Sequence, residues 1–205
     1  MANLDAAFGL RPYKMLGEGA NTNGVSNYAI QTTSTAGTAS VLFEGTPVIP
    51  LANGLIDLCG NANGGTVPIL GALIGVNYTD LNGTPTWSPK WPGTAAVKTS
   101  TAATAMIAAN PDQLFLINCN GNGADADIHR NANFSTCITG NATTGQSLGE
   151  LDISTLNSTN TLNLRIVGFS DEPSSDDATV SGRLAIVMLN NHFYRYNANG
   201  TGAGI

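Results

Sequence analysis

The hydrophobic residues of this 205-residue chain are clustered in short segments, which are separated by glycine, proline, asparagine and aspartate. Short apolar segments bounded by turn-forming residues predict β-strands rather than helices. The predicted strands are residues 28–32, 41–43, 47–50, 55–58, 69–78, 84–87, 96–99, 105–108, 114–118, 162–169, 183–189 and 193–196. Residues 102–109 could instead form a short helix, although Thr101 and Thr104 weaken it. We therefore predict an all-β fold, a compact β-barrel or β-sandwich of short antiparallel strands.

Asn-Gly dipeptides supply the turn pattern between these strands. Seven occur, at 23–24, 53–54, 63–64, 82–83, 120–121, 122–123 and 199–200. Type I′ hairpin turns need a positive φ at both central residues, and Asn and Gly adopt it at the lowest steric cost. The sequence therefore predicts tight type I′ turns at these pairs. The clearest hairpin is residues 78–84.

The pattern divides the chain into an arm and one domain. Residues 1–27 contain apolar side chains without a sustained period, which is typical of an extended N-terminal arm that docks on a surface. Residues 28–205 are predicted to form a single all-β domain. Within it, 118–160 is rich in Asn, Gly and Thr and is predicted to be a long surface excursion, and 197–205 a flexible tail.

The charge of the chain argues against nucleic acid as a partner. Charged residues make up 11% of the sequence, the net charge is -6, and the eight cations are scattered singly. No basic stripe that could follow a phosphate backbone is present in the sequence. A neutral polar surface of this kind is compatible with packing against identical copies, because little charge has to be desolvated.

Three cysteines, Cys59, Cys119 and Cys137, are widely spaced and odd in number. We expect three free thiols made in a reducing cytoplasm, with Cys119–Cys137 as the one bridge to consider. The N-terminus lacks the pattern of a signal peptide. The longest apolar run, 69–76, is too short to span a bilayer, and we expect no membrane partner.

Residues 145–149, G-Q-S-L-G, match the pattern of a hydrolase nucleophile elbow, and Asp171 or Asp176 and then His192 follow in the chain order of that family. The chemistry requires Ser147 at a sharp strand-to-helix turn. Neither a buried strand before it nor a helix after it is predicted here. The sequence therefore favours a chance match, and we predict no catalytic residue and no enzyme.

Two acidic clusters are candidates for metal binding or acid–base chemistry. Asp125, Asp127 and His129 alternate and would share one face of a strand. Glu150 and Asp152 are also two residues apart, as a pair of carboxylates could be in a glycosidase. Solvated polar side chains are the favoured interpretation of both clusters, and we predict no metal and no cofactor.

Trp87-Ser88-Pro89-Lys90-Trp91-Pro92 is a stiff segment with a large apolar area. Two prolines restrict its backbone, so its two tryptophans are presented at low entropic cost. The segment either plugs one end of the β-core or forms a rigid contact at a subunit interface, where tryptophan is enriched.

The opening residues 2–12, A-N-L-D-A-A-F-G-L-R-P, resemble the start of a group of tailed-bacteriophage structural proteins, whose openers read much like A-N-x-D-A-P-F-G-F-R-P. Ala7 departs from the proline of that opener. Further blocks that resemble the group are residues 75–80, 87–92, 145–147 and 164–168. Under this resemblance Ser147 belongs to a structural turn.

The resemblance implies a head decoration, or cement, protein: an all-β subunit on the outer surface of an icosahedral capsid, often trimeric. Its partners would be the major capsid protein and its own copies, after synthesis in the bacterial host cytoplasm. We expect the contact residues to be Phe8, Leu10, Arg11, Pro12, Tyr13, Trp87 and Trp91. We also expect deletion of residues 1–16 to leave a folded β-core that no longer binds capsids.

An alternative from another class is a carbohydrate-binding or adhesion module of the virion. Trp87, Trp91 and the predicted strand 193–196 would supply aromatic stacking platforms for sugars.

Overall fold

The structure, a computed structural model, describes residues 3–17, 24–30, 41–59, 67–99, 101–159 and 161–195. Its strands are β1 (Arg11–Met15), β2 (Val25–Ile30), β3 (Pro47–Pro50), β4 (Ile56–Leu58), β5 (Gly71–Thr79), β6 (Pro85–Ser88), β7 (Ala103–Ala108), β8 (Gln113–Asn118), β9 (Asn131–Ala132), β10 (Leu164–Phe169) and β11 (Leu184–Leu189). Short 3₁₀ helices lie at Thr94–Ala96, Asp125–Asp127 and Ile153–Thr155. No helix in these ranges has the length and hydropathy needed to cross a membrane. The predicted all-β class is confirmed.

Five strands close into a barrel in the order β3-β4-β2-β7-β5, because β3 pairs with β5 as well as with β4. Strand β6 extends the sheet beyond β5. Neighbouring strands are antiparallel, except that β2 and β4 run parallel where Ile30 lies opposite Ile56. Closure removes most free edges, so the barrel satisfies its backbone hydrogen bonds internally.

Small residues allow a barrel of so few strands to close, because the diameter of a barrel grows with the number of its strands. Strand β7 contributes Ala103, Ala105 and Ile107 to the barrel core at alternate positions. A Cβ atom on Gly71 of β5 would lie 2.1 Å from the carbonyl oxygen of Ala108 on β7. The alternation of these small residues explains why 102–109 contains a strand and not the helix that was the alternative.

A second sheet of five antiparallel strands, in the order β1-β8-β11-β10-β9, packs on the outside of the barrel. The core between the two layers includes Phe115 and Val187 from this sheet and Ala72 from β5. The next residue of β5, Leu73, belongs to the core inside the barrel. Strand β5 is therefore buried on both faces, which accounts for the unbroken apolar run 69–76 of the sequence.

Strand β1 lies within the predicted N-terminal arm. It forms an edge of the second sheet through its pairing with β8, with a β-bulge between Pro12 and Lys14. Leu10, just before it, is 1% exposed and belongs to the core between the layers. The extended arm thus docks on its own chain. Because the arm has no apolar alternation, the sequence pattern does not reveal this strand.

The predicted strands agree with the observed ones to different degrees. Residues 47–50 coincide with β3, and most of the other predicted strands overlap an observed strand to within a few residues. Residues 41–43 and 96–99 form isolated bridges instead, and 193–195 form a turn. Tyr196, the end of the last predicted strand, lies outside the described residues, as does the predicted tail 197–205.

The hairpin predicted at residues 78–84 joins β5 to β6, but its turn is not of type I′. Gly83 has a φ of 87°, whereas no described asparagine has a positive φ. The Asp80 carboxylate accepts the backbone N–H groups of Asn82 at 2.9 Å and Thr84 at 2.8 Å. This pattern is typical of a three-residue loop that ends in a left-handed glycine. The type I′ prediction was therefore wrong. The pairs 23–24, 63–64 and 199–200 each include a residue outside the described ranges.

A disulfide joins Cys59 to Cys137. The prediction of three free thiols was therefore wrong, and so was the Cys119–Cys137 alternative. Both bonded cysteines lie in the core between the layers, although they are 78 residues apart in sequence. Cys119 is a buried free thiol, and burial raises its pKa to about 12. The pairing follows from tertiary packing, which the spacing of the cysteines does not encode.

Residues 119–159, most of the predicted excursion, have mainly irregular backbone. Phe134 and Leu151 are nevertheless fully buried in the core between the layers, while Ile138 and Leu148 are more than a third exposed. The segment therefore contributes to the core with some side chains and presents others at the surface.

Candidate functional site

The first described residues, Asn3 and Leu4, are held against the loop that precedes β11. The Asn3 side chain donates to the carbonyl oxygen of Asp177 at 2.8 Å and accepts the N–H of the same residue at 3.0 Å. The backbone N–H of Leu4 donates to the carbonyl oxygen of Ser174 at 2.9 Å. These hydrogen bonds from Asn3 and Leu4 to Asp177 and Ser174 fix the direction in which the N-terminal segment enters the fold.

Gly9 brings this segment between the barrel and the irregular region. It has a φ of 75°, and its N–H donates to the carbonyl oxygen of Gly149 at 3.1 Å. A Cβ atom at Gly9 would lie 2.6 Å from the carbonyl oxygen of Gly45, which in turn accepts the N–H of Leu10. Glycine is required here both for the backbone conformation and for the close approach.

Beside this crossing lies a surface depression that we call the N-terminal groove. It consists of two adjoining clefts of about 20 and 240 Å³ that share Phe8, Arg11 and Gln146. Leu10 and Pro12 line the smaller cleft, and Leu4 lines the larger one. Three of the residues predicted to make contacts, Phe8, Arg11 and Pro12, are thus brought together at one surface site, whereas Leu10 is 1% exposed and is not accessible to a partner.

The chemistry of the groove is that of a contact surface. The Arg11 guanidinium lies 4.3 Å from the centre of the Phe8 ring, so a cation and an aromatic face are presented together. Glu44 lines the smaller cleft and Glu172 the larger one. An aromatic side chain, an arginine and flanking carboxylates suit recognition of a polypeptide that offers apolar and polar groups.

A buried amide ties the N-terminal segment to the irregular region. Nδ2 of Asn118 donates to the Asp5 carboxylate at 2.9 Å and to the Glu150 carboxylate at 3.0 Å. The other oxygen of Asp5 accepts the Ser181 hydroxyl at 2.9 Å. Burial raises the pKa of Glu150 above its ordinary value, and the nearby Asp5 charge adds to the shift.

Tyr13, the fifth predicted contact residue of the arm, lies on β1 and is 46% exposed. The ammonium group of Lys14 lies 5.4 Å from the centre of its ring. Tyr13 does not line the N-terminal groove, but its strand is an edge of the second sheet, so its ring is available to a partner.

The two tryptophans have different environments. Trp91 is fully buried, forms a bridge with Leu42 and packs edge-on against Tyr78 at 5.9 Å, so it acts as a plug in the barrel core. Trp87 is 56% exposed on β6 and covers Gly75 on β5, where a Cβ atom would lie 3.0 Å from its ring. Trp87 is therefore accessible to a partner, whereas Trp91 is not.

Ser147 of the candidate nucleophile elbow is fully buried. Its hydroxyl oxygen accepts the N–H of Gly149 at 3.1 Å, and its Cβ atom lies 2.7 Å from the position that a Cβ of Gly9 would take. His192 is buried too, and burial lowers its pKa to about 4. Its Nδ1 accepts the N–H of Tyr194. Both side chains therefore have structural contacts where they lie.

The candidate metal cluster is divided among arginine partners. Asp125 pairs with Arg183 at 2.8 Å, and Asp127 pairs with Arg130 at 3.0 Å. His129 has a φ of 73° in the turn that follows. Within the described residues, no group of three or more His, Cys, Asp or Glu side chains is placed to hold a metal ion.

Sequence reasoning missed the residues that complete the groove from distant parts of the chain. Glu44, Gln146 and Glu172 lie in irregular segments, where no periodic pattern marks them. Gly9, a glycine between the apolar residues Phe8 and Leu10, was the one local signal in the sequence that could have indicated a crossing point.

Comparisons of the chain with protein-family models, with curated proteins and with solved structures gave no match.

Proposed function

We propose that this chain is a structural virion protein, a cement protein that binds the outside of a tailed-phage head and stabilises it by bridging major capsid subunits. The observation that carries the proposal is the N-terminal groove: Phe8, Arg11 and Pro12 of the opener that resembles such proteins line one surface site, and the buried Leu10 anchors the same segment in the core. The groove would receive a segment of the shell protein.

A second accessible element would let the protein contact more than one neighbour. Trp87 is exposed on β6, and the segment after β6 reaches the loop beside the groove, where Lys90 donates to the carbonyl oxygen of Ala142 at 2.6 Å. The groove and Trp87 are thus connected through packed segments. Two contact points on one subunit suit the bridging of adjacent shell proteins.

A cement protein stabilises the shell by binding to it and does not need to catalyse a reaction. A subunit that binds the assembled shell and not its dispersed subunits shifts the balance by RT ln(1 + [L]/Kd), about 2.7 kcal/mol at a hundredfold excess over Kd. Repetition over many sites allows each contact to be modest. The small number of charges, 11% of residues, keeps the desolvation cost of such contacts low.

We further propose that the protein acts as a homotrimer. Closed cyclic symmetry matches the local threefold axes of an icosahedral shell, and each copy would present one groove and one Trp87. Light scattering at micromolar concentration, alone and with shells, tests for a preformed trimer. A monomer in solution would leave assembly on the shell as the only route, which electron cryomicroscopy of decorated shells would reveal as three copies around an axis.

Co-sedimentation with assembled shells of a tailed-phage major capsid protein tests the main proposal. Wild-type protein should pellet with the shells, whereas Phe8→Ala and Arg11→Ala should bind at least about tenfold more weakly, because each removes a side chain from the groove. Val25→Ala is the matched control, since Val25 is 46% exposed on β2 and does not line the groove. Thermal unfolding of each variant shows that the fold is intact. Absence of binding by the wild-type protein would rule the proposal out.

Deletion of residues 1–16, which was expected from the sequence to leave a folded β-core, is not a suitable test of binding. The deletion would remove Leu10, which is 1% exposed, and β1, which pairs with β8. Loss of binding by the truncated protein could then follow from loss of structure. Single substitutions at the groove separate the two effects.

A further inference from the structure

A second groove, which we call the tyrosine groove, lies at another part of the barrel. It has a volume of about 330 Å³, at the lower end of the range of roughly 300–1,000 Å³ that is usual for small-molecule sites. Tyr28 on β2, Leu51 and Leu55 in the loop between β3 and β4, and Phe193 and Tyr194 after β11 line it. It shares no lining residue with the N-terminal groove.

Two phenol hydroxyls meet in this groove. The hydroxyl oxygens of Tyr28 and Tyr194 are 3.1 Å apart and share a hydrogen bond. Burial and this bond raise the pKa of Tyr28 to about 12. One shared hydrogen bond leaves the pair with further donor and acceptor capacity for a ligand.

The Tyr194 ring is both exposed and held in place. It is 54% exposed, and its backbone N–H donates to Nδ1 of the buried His192 at 3.0 Å. The Phe193 ring packs edge-on against it at 5.2 Å. The N–H of Phe193 is fixed by the carbonyl oxygen of Ile69. A fixed aromatic face loses little entropy when a ligand stacks on it.

The charge of the groove restricts the ligand. None of the ten described residues that line it is Asp, Glu, Lys, Arg or His, in contrast to the N-terminal groove with Arg11, Glu44 and Glu172. A charged ligand would lose hydration here without gaining an ion pair. The complementary ligand is therefore neutral, with an apolar face for the ring and hydroxyls for the phenol pair.

We propose that the tyrosine groove binds a neutral oligosaccharide. The C–H face of one pyranose ring would stack on Tyr194, and its hydroxyls would exchange hydrogen bonds with the phenols of Tyr28 and Tyr194. A proline-rich peptide fits less well, because its recognition uses several successive aromatic slots along an extended helix. Here the aromatic and polar groups converge at one point. The site retains Tyr194 of the stacking platform that the sequence suggested, but neither tryptophan lines it, and Trp91 is buried.

A printed array of neutral glycans identifies the sugar, and amide NMR titration of the full chain with the best binder locates it. Shifts are expected at Tyr28, Leu51, Leu55 and Tyr194. Tyr194→Ala should weaken binding by about tenfold or more, and Tyr194→Phe, which keeps the ring, should weaken it less. Trp87→Ala is the matched control, because it removes an equally exposed aromatic ring on β6 and should leave sugar binding unchanged.

Three results would overturn the proposal: no binding to any neutral glycan of the array, equal binding by Tyr194→Ala, or shifts of these residues by a decaproline peptide and not by sugars. Tyr194 is exposed, so its substitution should not prevent folding, and circular dichroism verifies this. Capsid co-sedimentation by Tyr194→Ala should be unchanged, so that failure of the sugar site is distinguishable from failure of the cement function.

Discussion

The barrel and the second sheet are closed in different ways. In the barrel, β3 pairs with both of its neighbours and completes a ring, so the barrel strands satisfy one another's backbone hydrogen bonds. The second sheet is open, and its edge strands β1 and β9 come from the N-terminal segment and the irregular region. Pro12, Lys14 and a bulge interrupt the edge at β1, a common way of preventing unwanted strand pairing.

This difference matters for function because the N-terminal groove lies where the open sheet is completed. Its smaller cleft is lined by the N-terminal segment, the loop at 44–45, Ile74 of β5 and Gln146 of the irregular region. A surface assembled from distant segments can vary in shape without altering a closed barrel beneath it. We therefore expect the barrel to be the invariant support and the second layer to be the region on which binding at the N-terminal groove depends.

The largest expected effect tests whether the irregular region is part of the fold. Phe134→Ala should lower the free energy of unfolding by about 3–5 kcal/mol, because Phe134 is fully buried in the core between the layers. Ile138→Ala in the same region is the control, since Ile138 is 36% exposed and should cost less than about 1 kcal/mol. Urea denaturation measures both variants.

Hydrogen exchange of the Phe134→Ala variant then separates the two layers. Amides of β8, β10 and β11 should exchange faster, while those of β5 and β7 should keep their protection if the barrel is the more stable unit. Equal loss of protection in both layers would show that they unfold as one unit, and the comparison between them would have to be abandoned.

The disulfide is the second test, because it links the barrel to the irregular region. In the chain-entropy model, a bond that closes 78 residues contributes about 4–5 kcal/mol, and measured values are typically about 2–4 kcal/mol. Cys59→Ala/Cys137→Ala, or reduction of the wild-type protein, should lower the melting temperature accordingly. Cys119→Ala controls for loss of a buried sulfur, since Cys119 is a free thiol. No change on reduction would show that the bond is not formed in solution.

These two regions also mark how far the sequence could predict the structure. Most strands of the barrel, and the hairpin at Asp80, follow from short apolar segments bounded by turn residues. Contacts of the second layer are long-range, such as Arg11 opposite Leu116 and Cys59 bonded to Cys137, and no local pattern encodes them. For the same reason the opener indicated Phe8 and Arg11, but Glu44, Gln146 and Glu172 became visible only when the chain was folded.

The smallest expected effect is a pH dependence of the stability of the second layer. It arises from Glu150, which lies in this layer beside Asp5. The pKa of folded Glu150 is raised above 4.5, first by burial and then by the Asp5 charge, against the opposing hydrogen bond from Asn118. The protonated carboxyl is thus favoured by folding. Its stabilising contribution is present below pH 4.5 and is lost as the pH rises through the folded pKa.

Glu150→Gln should abolish this loss of stability at rising pH, because a neutral amide oxygen can still accept the hydrogen bond from Asn118 without repelling Asp5. The variant should therefore be at least as stable as the wild-type protein at pH 7, and the difference should shrink towards pH 4. Glu172→Gln, at an exposed site, controls for the change in net charge. Chemical denaturation across this range measures the effect. A Glu150→Gln variant that is less stable at pH 7 would mean that the charged bond to Asn118 outweighs burial and repulsion, and that the N-terminal segment is held to the second layer mainly by that charge.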